Sequence, residues 1–121
     1  MSRSIKLGKL IAKCKKLDEK LPVYYDTGQH PTEIDSWRGI YAELAISHEI
    51  DGEPMTCGDF IEMLDDADGK FFTGYKGGAF QMGESTPVWM DNYGEYSSMK
   101  ITGVRQHDGD RITITTEHED N

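Results

Sequence analysis

Apolar residues recur at steps of three and four near the start of the chain. Leu7, Leu10, Ile11, Cys14, Leu17 and Leu21 form one stripe, and lysines fill the opposite face. The pattern predicts an amphipathic helix over about 4–20, stopped by Pro22, which cannot continue a helix and biases Leu21 toward extended geometry. Val23-Tyr24-Tyr25 reads as a short strand, and Asp26 to Pro31, with Gly28 and Pro31, as a loop that holds His30. From Ile40 to His48 the period becomes two: Ala42, Leu44 and Ile46 face one way and Glu43, Ala45 and Ser47 the other, which predicts a half-exposed strand.

A turn at Asp51-Gly52-Glu53-Pro54 leads to Thr56-Cys57-Gly58-Asp59, which has the form of a capping box before an apolar run. A second helix is expected there, with Phe60, Ile61, Leu64 and Ala67 on its inner side and Gly69 as a left-handed cap. Residues 69–94 interleave six of the thirteen glycines with six of the twelve Phe, Trp and Tyr residues. Phe71-Phe72 and Val88-Trp89-Met90 read there as short strands, with Pro87 suited to a strand start or a sheet edge, and Tyr75-Lys76-Gly77-Gly78 as a turn. Ser98 to His107 and Arg111 to Glu117 form the clearest hairpin. Asp108-Gly109 suits a type I′ turn, and the broken parity of Met99, Ile101 and Val104 places a bulge at Gly103.

Together these elements predict an α+β fold: two amphipathic helices packed on a mainly antiparallel sheet of about five to seven short strands, ending in a C-terminal β-hairpin. At 121 residues one domain is expected, with a basic helix at about 4–20, a body at 21–117 and a frayed polar tail at 118–121. An edge strand at Val88 to Met90 would permit a homodimer.

Charge divides the chain in two. Residues 1–20 carry seven basic and two acidic side chains, net +5, whereas residues 21–121 carry six basic and twenty acidic ones, net −14. Such a body repels nucleic acid and attracts basic protein surfaces, and the lysine face of the first helix lacks the aromatic interleaving of a nucleic-acid platform. Asp65, Asp66 and Asp68 crowd the end of the second helix, where the macrodipole disfavours anions. They are the candidate acidic partner face. Placing Gly69 at the sixth position of an EF-hand loop would put Leu64 first and Tyr75 twelfth, so calcium chemistry of that kind is rejected.

Cys14 and Cys57 lack Cys-x-x-Cys spacing and read as buried thiols, which favours a reducing cytosol. No run has the length of a secretory signal or a membrane span. His30, His48, His107 and His118 are isolated in sequence, so no metal or cofactor is expected. Ser36, Cys57, His30 and His48 are the residues a fold would have to gather for nucleophilic catalysis, and no motif argues for an enzyme. The chemistry-bearing candidates are binding residues. Trp37 and Arg38 pair a flat ring with a fixed fork of donors, and Tyr75, Lys76, Gly77 and Gly78 can form an anion-binding nest that matches neither phosphate-loop pattern. Trp89 and Tyr93 add further aromatic area.

Ser36-Trp37-Arg38-Gly39-Ile40-Tyr41, Phe72-Thr73-Gly74-Tyr75-Lys76-Gly77-Gly78, Thr86-Pro87-Val88-Trp89 and Asn92-Tyr93-Gly94 give most of the chain a resemblance to small acidic proteins encoded by tailed bacteriophages. The resemblance implies an accessory protein in the cytoplasm of a bacterial host, acting on host machinery or defence. The first reading is therefore a non-enzymatic inhibitor or modulator that binds a host protein stoichiometrically. The alternative is a small-molecule binder that sequesters a nucleotide signal, with Arg38 and Lys76 on phosphate and Trp37 or Tyr75 on the base. A DNA mimic ranks below both, because the acids lie scattered rather than in two rows.

Overall fold

The computed structural model describes residues 4–35, 44–69, 71–73, 79–81, 83–84, 86–90 and 99–118. Its first helix, α1, spans Leu7–Cys14 and buries Leu7, Leu10, Ile11 and Cys14. It is shorter than the apolar stripe predicts, because the backbone on either side is committed elsewhere. Ile5 N–H donates to Ile101 O, Val88 N–H donates to Ile5 O, and Lys6 bridges Pro87, so the chain enters the helix in extended geometry. At the other end, Leu21 O and Glu19 O accept from Cys57 N–H and Gly58 N–H at 2.8 and 2.9 Å. The stretch that continues the stripe thus serves the N-terminus of the second helix, while Leu17 and Leu21 still pack on the core. Leu7 N–H and Gly8 N–H donate to Thr86 O and Glu84 O, satisfying two of the orphan donors of α1. A Cβ at Gly8 would lie 2.6 Å from Glu84 Cβ, so this approach requires glycine.

The second helix, α2, spans Cys57–Ala67 and begins as its sequence predicts. The Thr56 hydroxyl accepts from Asp59 N–H at 3.2 Å, and Gly69, at φ +86°, follows the last turn. Cys57, Phe60, Leu64 and Ala67 are buried, with Ile61 half-buried beside them.

The strands are β1 (Val23–Tyr25), β2 (His30–Asp35), β3 (Leu44–Glu49), β4 (Phe71–Thr73), β5 (Ala79–Gln81), β6 (Val88–Met90), β7 (Met99–His107) and β8 (Arg111–His118). Six make one mixed sheet in the order β1-β8-β7-β6-β3-β2, and β4 pairs antiparallel with β5 apart from it. Within the large sheet β1 is parallel to β8 and β3 to β6, and the other three pairings are antiparallel. The sheet curls until its edges meet, nearly a barrel. The Tyr25 hydroxyl of β1 donates toward Ile46 O and Ser47 O of β3 at 3.2 and 3.3 Å, and its ring meets His48 edge-on at 6.4 Å. Val23, Tyr25, Ile46, Val88, Met90, Ile101, Ile112 and Ile114 face the helices from the sheet and close one core with Leu7, Leu10, Phe60 and Leu64. The α+β class holds: among the described residues the main sheet has six strands, within the five to seven expected, and β4 with β5 forms a separate pair.

Four sequence expectations change. His30 and Pro31 belong to β2 rather than to a loop, because β2 is an edge strand with a register shift between Pro31 and Ile34, and an edge tolerates proline. Of the Ile40–His48 strand reading, residues 40–43 lie outside the described residues; β3 is interior, and from Ile46 to His48 it is buried on both sides, not half-exposed. Ile46 packs in the core, and Ser47, 3% exposed, bonds Thr32 Oγ1, Glu33 N–H and Glu33 O. Val88–Met90 is likewise interior, between β3 and β7, so it offers no free edge for a dimer and Pro87 marks only its start. The final hairpin has the expected bulge, where Ile101 opposes Thr116 and Gly103 opposes Thr115, but not the type I′ turn. Its strands close at His107 and Arg111 with Asp110 N–H on His107 O, and Asp108, at φ +49°, takes positive φ without Gly109.

Candidate functional site

The residues singled out in the sequence fare differently. Trp37, Arg38, Tyr75, Lys76, Gly77, Gly78 and Tyr93 lie outside the described residues. Trp89 is 5% exposed and in cross-strand register with Lys100, which is also buried, so its ring is not the surface platform expected of it. Asp65, Asp66 and Asp68 are exposed, as their helical positions require.

Those three acids belong to a longer ridge. With Phe60 and Leu64 turned into the core, the outer side of α2 presents Asp59, Glu62, Asp65 and Asp66 around the half-buried Met63, and together these line a shallow groove. No basic residue occurs between Cys57 and Gly69, and the last turn holds none to offset the helix dipole. Asp65 meets Lys15 from the end of α1 at 3.6 Å, a pair about half exposed on both sides and therefore screened by water.

A second concavity combines both signs of charge. The parallel pairing of β1 with β8 sets Tyr24 beside Thr113, and the antiparallel pairing of β8 with β7 sets Thr113 beside Arg105. These three side chains form one row on the face of the sheet away from the core. One step along, His107 and Arg111 oppose each other on the same face. The row, the hairpin end and the turn after β1 enclose a groove of about 550 Å3 lined by both arginines, His107, Tyr24, Thr113, Asp26 and Asp110. Its acids are engaged: Asp26 accepts from Thr116 N–H and the Thr116 hydroxyl, and Asp110 meets Arg111 at 3.3 Å. Arg105 is exposed and its side chain makes no hydrogen bond or ion pair among the described residues.

Sequence reasoning missed this groove. Tyr24, Arg105 and Arg111 meet only through the β1–β8 pairing, and no local pattern encodes a parallel partner so far along the chain. The available signal was charge: Arg105 and Arg111 flank the hairpin turn of an acidic body.

The two thiols are free, buried and adjacent. Cys57 Sγ donates to Cys14 O at 3.7 Å, joining the last turn of α1 to the first of α2. Their mutual hydrogen bond, then burial, pushes the Cys14 thiol well above its usual range, and the same hydrogen bond holds Cys57 down. Of the residues that nucleophilic catalysis would need, Ser36 lies outside the described residues, His30 Nε2 is on Asp51 O at 2.7 Å and His48 lies against Tyr25. Among the described residues, no group of three His, Cys, Asp or Glu is placed to hold a metal ion, and no helix is long and apolar enough to cross a membrane.

No protein-family model matches the chain, and neither a curated protein nor a solved structure is significantly similar to it.

Proposed function

We propose that this protein is a phage-type accessory protein that works without catalysis, by stoichiometric binding of the acidic outer face of α2 to a basic surface of a bacterial host protein. One observation carries the reading. Asp59, Glu62, Asp65 and Asp66 sit on the exposed side of a single helix and Asp68 at its cap, the last three where the dipole makes them costly, by about 0.3–1 kcal/mol each. A helix that carries this cost with no basic residue between Cys57 and Gly69, its Asp65–Lys15 pair exposed and screened, is suited to receive further cations from a partner. Met63 in the middle of the groove supplies an adaptable apolar contact inside a charged rim.

Such a complex forms fast at low salt and weakens as salt rises, because its attraction is between exposed charges. The test is native mass spectrometry of the protein purified from a bacterial host, alongside a variant carrying Asp59→Lys, Glu62→Lys, Asp65→Lys and Asp66→Lys. A host protein held at fixed ratio, lost in the variant and in high salt, supports the reading. A partner retained by the variant, or none held by either protein, sinks it.

A further inference from the structure

Only six basic residues occur between positions 21 and 121, and two of them, Arg105 and Arg111, line the groove over β1, β8 and β7. Scattered surface cations on an acidic body would neutralise nearby carboxylates. Here Arg111 pairs with Asp110 along one edge only, Asp26 is hydrogen-bonded to Thr116, and the Arg105 side chain lines the cavity with no ion pair among the described residues. We propose that this groove is a binding site for a mononucleotide, its phosphate held by Arg105 and Arg111 and its base laid on Tyr24.

The chemistry follows from the placement. Guanidinium groups present paired donors in a plane, which matches the oxygens of a phosphate and permits contact along two edges. Tyr24 is half-buried and lines the groove, so its ring offers aromatic area there for stacking. Tyr24 and Arg105 stand two strand spacings apart, about 10 Å, with the short side chain of Thr113 as the floor between them. A base at one end and a phosphate at the other span that interval, and an inorganic anion does not. His107, opposite Arg111, adds a further donor at the phosphate end. The volume of about 550 Å3 falls within the range of small-ligand sites. The site is separate from the α2 ridge, and either assignment can fail without the other.

The test is isothermal titration calorimetry of the full-length protein at low salt with adenosine 5′-monophosphate, adenosine and inorganic phosphate as probes. The monophosphate is expected to bind more tightly than either fragment, with a Kd below about 1 mM. Arg105→Ala and Arg111→Ala each weaken it by about tenfold or more, Arg105→Lys weakens it less, and Tyr24→Phe, which keeps the stacking face, leaves it within about threefold. Tyr24→Ala weakens the monophosphate while leaving inorganic phosphate unchanged, and thermal melts confirm that each variant is folded. No heat from the monophosphate up to about 1 mM overturns the proposal. So does binding that survives Arg105→Ala, or inorganic phosphate binding as tightly as the monophosphate. The fourfold lysine variant of the α2 ridge retains the monophosphate affinity, which separates this site from that surface.

Discussion

The α2 ridge carries charge of one sign and the β1–β8–β7 groove carries both, on different scaffolds. The ridge is built by local sequence: five carboxylates within one helix and its cap, exposed because the helix period turns them away from Phe60 and Leu64. The groove is built by topology. Its ring comes from an early strand and its arginines from the last hairpin, and they meet through pairing across the sheet. A helix surface concentrates charge of one sign cheaply, at a small cost in helix stability, whereas a sheet can set unlike groups at fixed intervals. The first arrangement suits a broad electrostatic contact, the second a small ligand with two distinct ends.

The comparison is broken most severely from beneath. Phe60 is fully buried under α2, and Phe60→Ala is expected to cost about 3–5 kcal/mol, lowering the urea midpoint and abolishing ridge and groove together if they rest on one core. Loss of the helix with survival of the sheet would show two independent bodies. A gentler change sharpens the contrast. Thr56→Ala removes the hydroxyl that caps Asp59 N–H and costs about 1 kcal/mol, with faster hydrogen exchange expected in α2 than in β7 and β8. Uniform acceleration would mean that the helix opens only with the whole fold.

Smaller still, and of opposite sign, Asp68→Lys places a cation at the end of α2 and raises stability by about 0.3–1 kcal/mol in low salt, while weakening any basic partner. A fall in melting temperature would remove the argument that these acids are kept against a structural cost. Least of all, Arg105→Ala should change stability by under about 0.5 kcal/mol, because its side chain is exposed and makes no polar contact among the described residues. A larger loss by denaturant titration would make Arg105 part of the framework.

What could be read from the sequence divides along the same line. The Thr56 cap, the buried face of α2, the Gly69 stop and the bulge at Gly103 are set by residues within a few positions of one another, and each is present. The acidic ridge shares that local origin. The sequence misled where neighbours in space decide. Alternation in β3 suggests a wet face, yet Ser47 is buried and satisfied by β2; the apolar stripe runs past Cys14, yet the backbone beyond it is needed by α2. Asp108-Gly109 marked the right turn, but Asp108 alone takes the positive φ, which separates where a chain reverses from how. The aromatic and lysine positions chosen for binding were picked by composition, and Trp89 shows why that signal is weak: a large ring fills an interior strand as readily as a surface.

Pairing Val23 with Ile112 also carries a lesson about time. Among the described residues β1 has no strand neighbour in the sheet except β8, so during synthesis β1 must wait until the chain through Ile114 has left the ribosome. Contacts this distant in sequence slow folding, because the loop must close before the pairing can reward it. The groove straddles that seam, and a chain cut before Arg111 would possess the acidic helix sequence but not the groove.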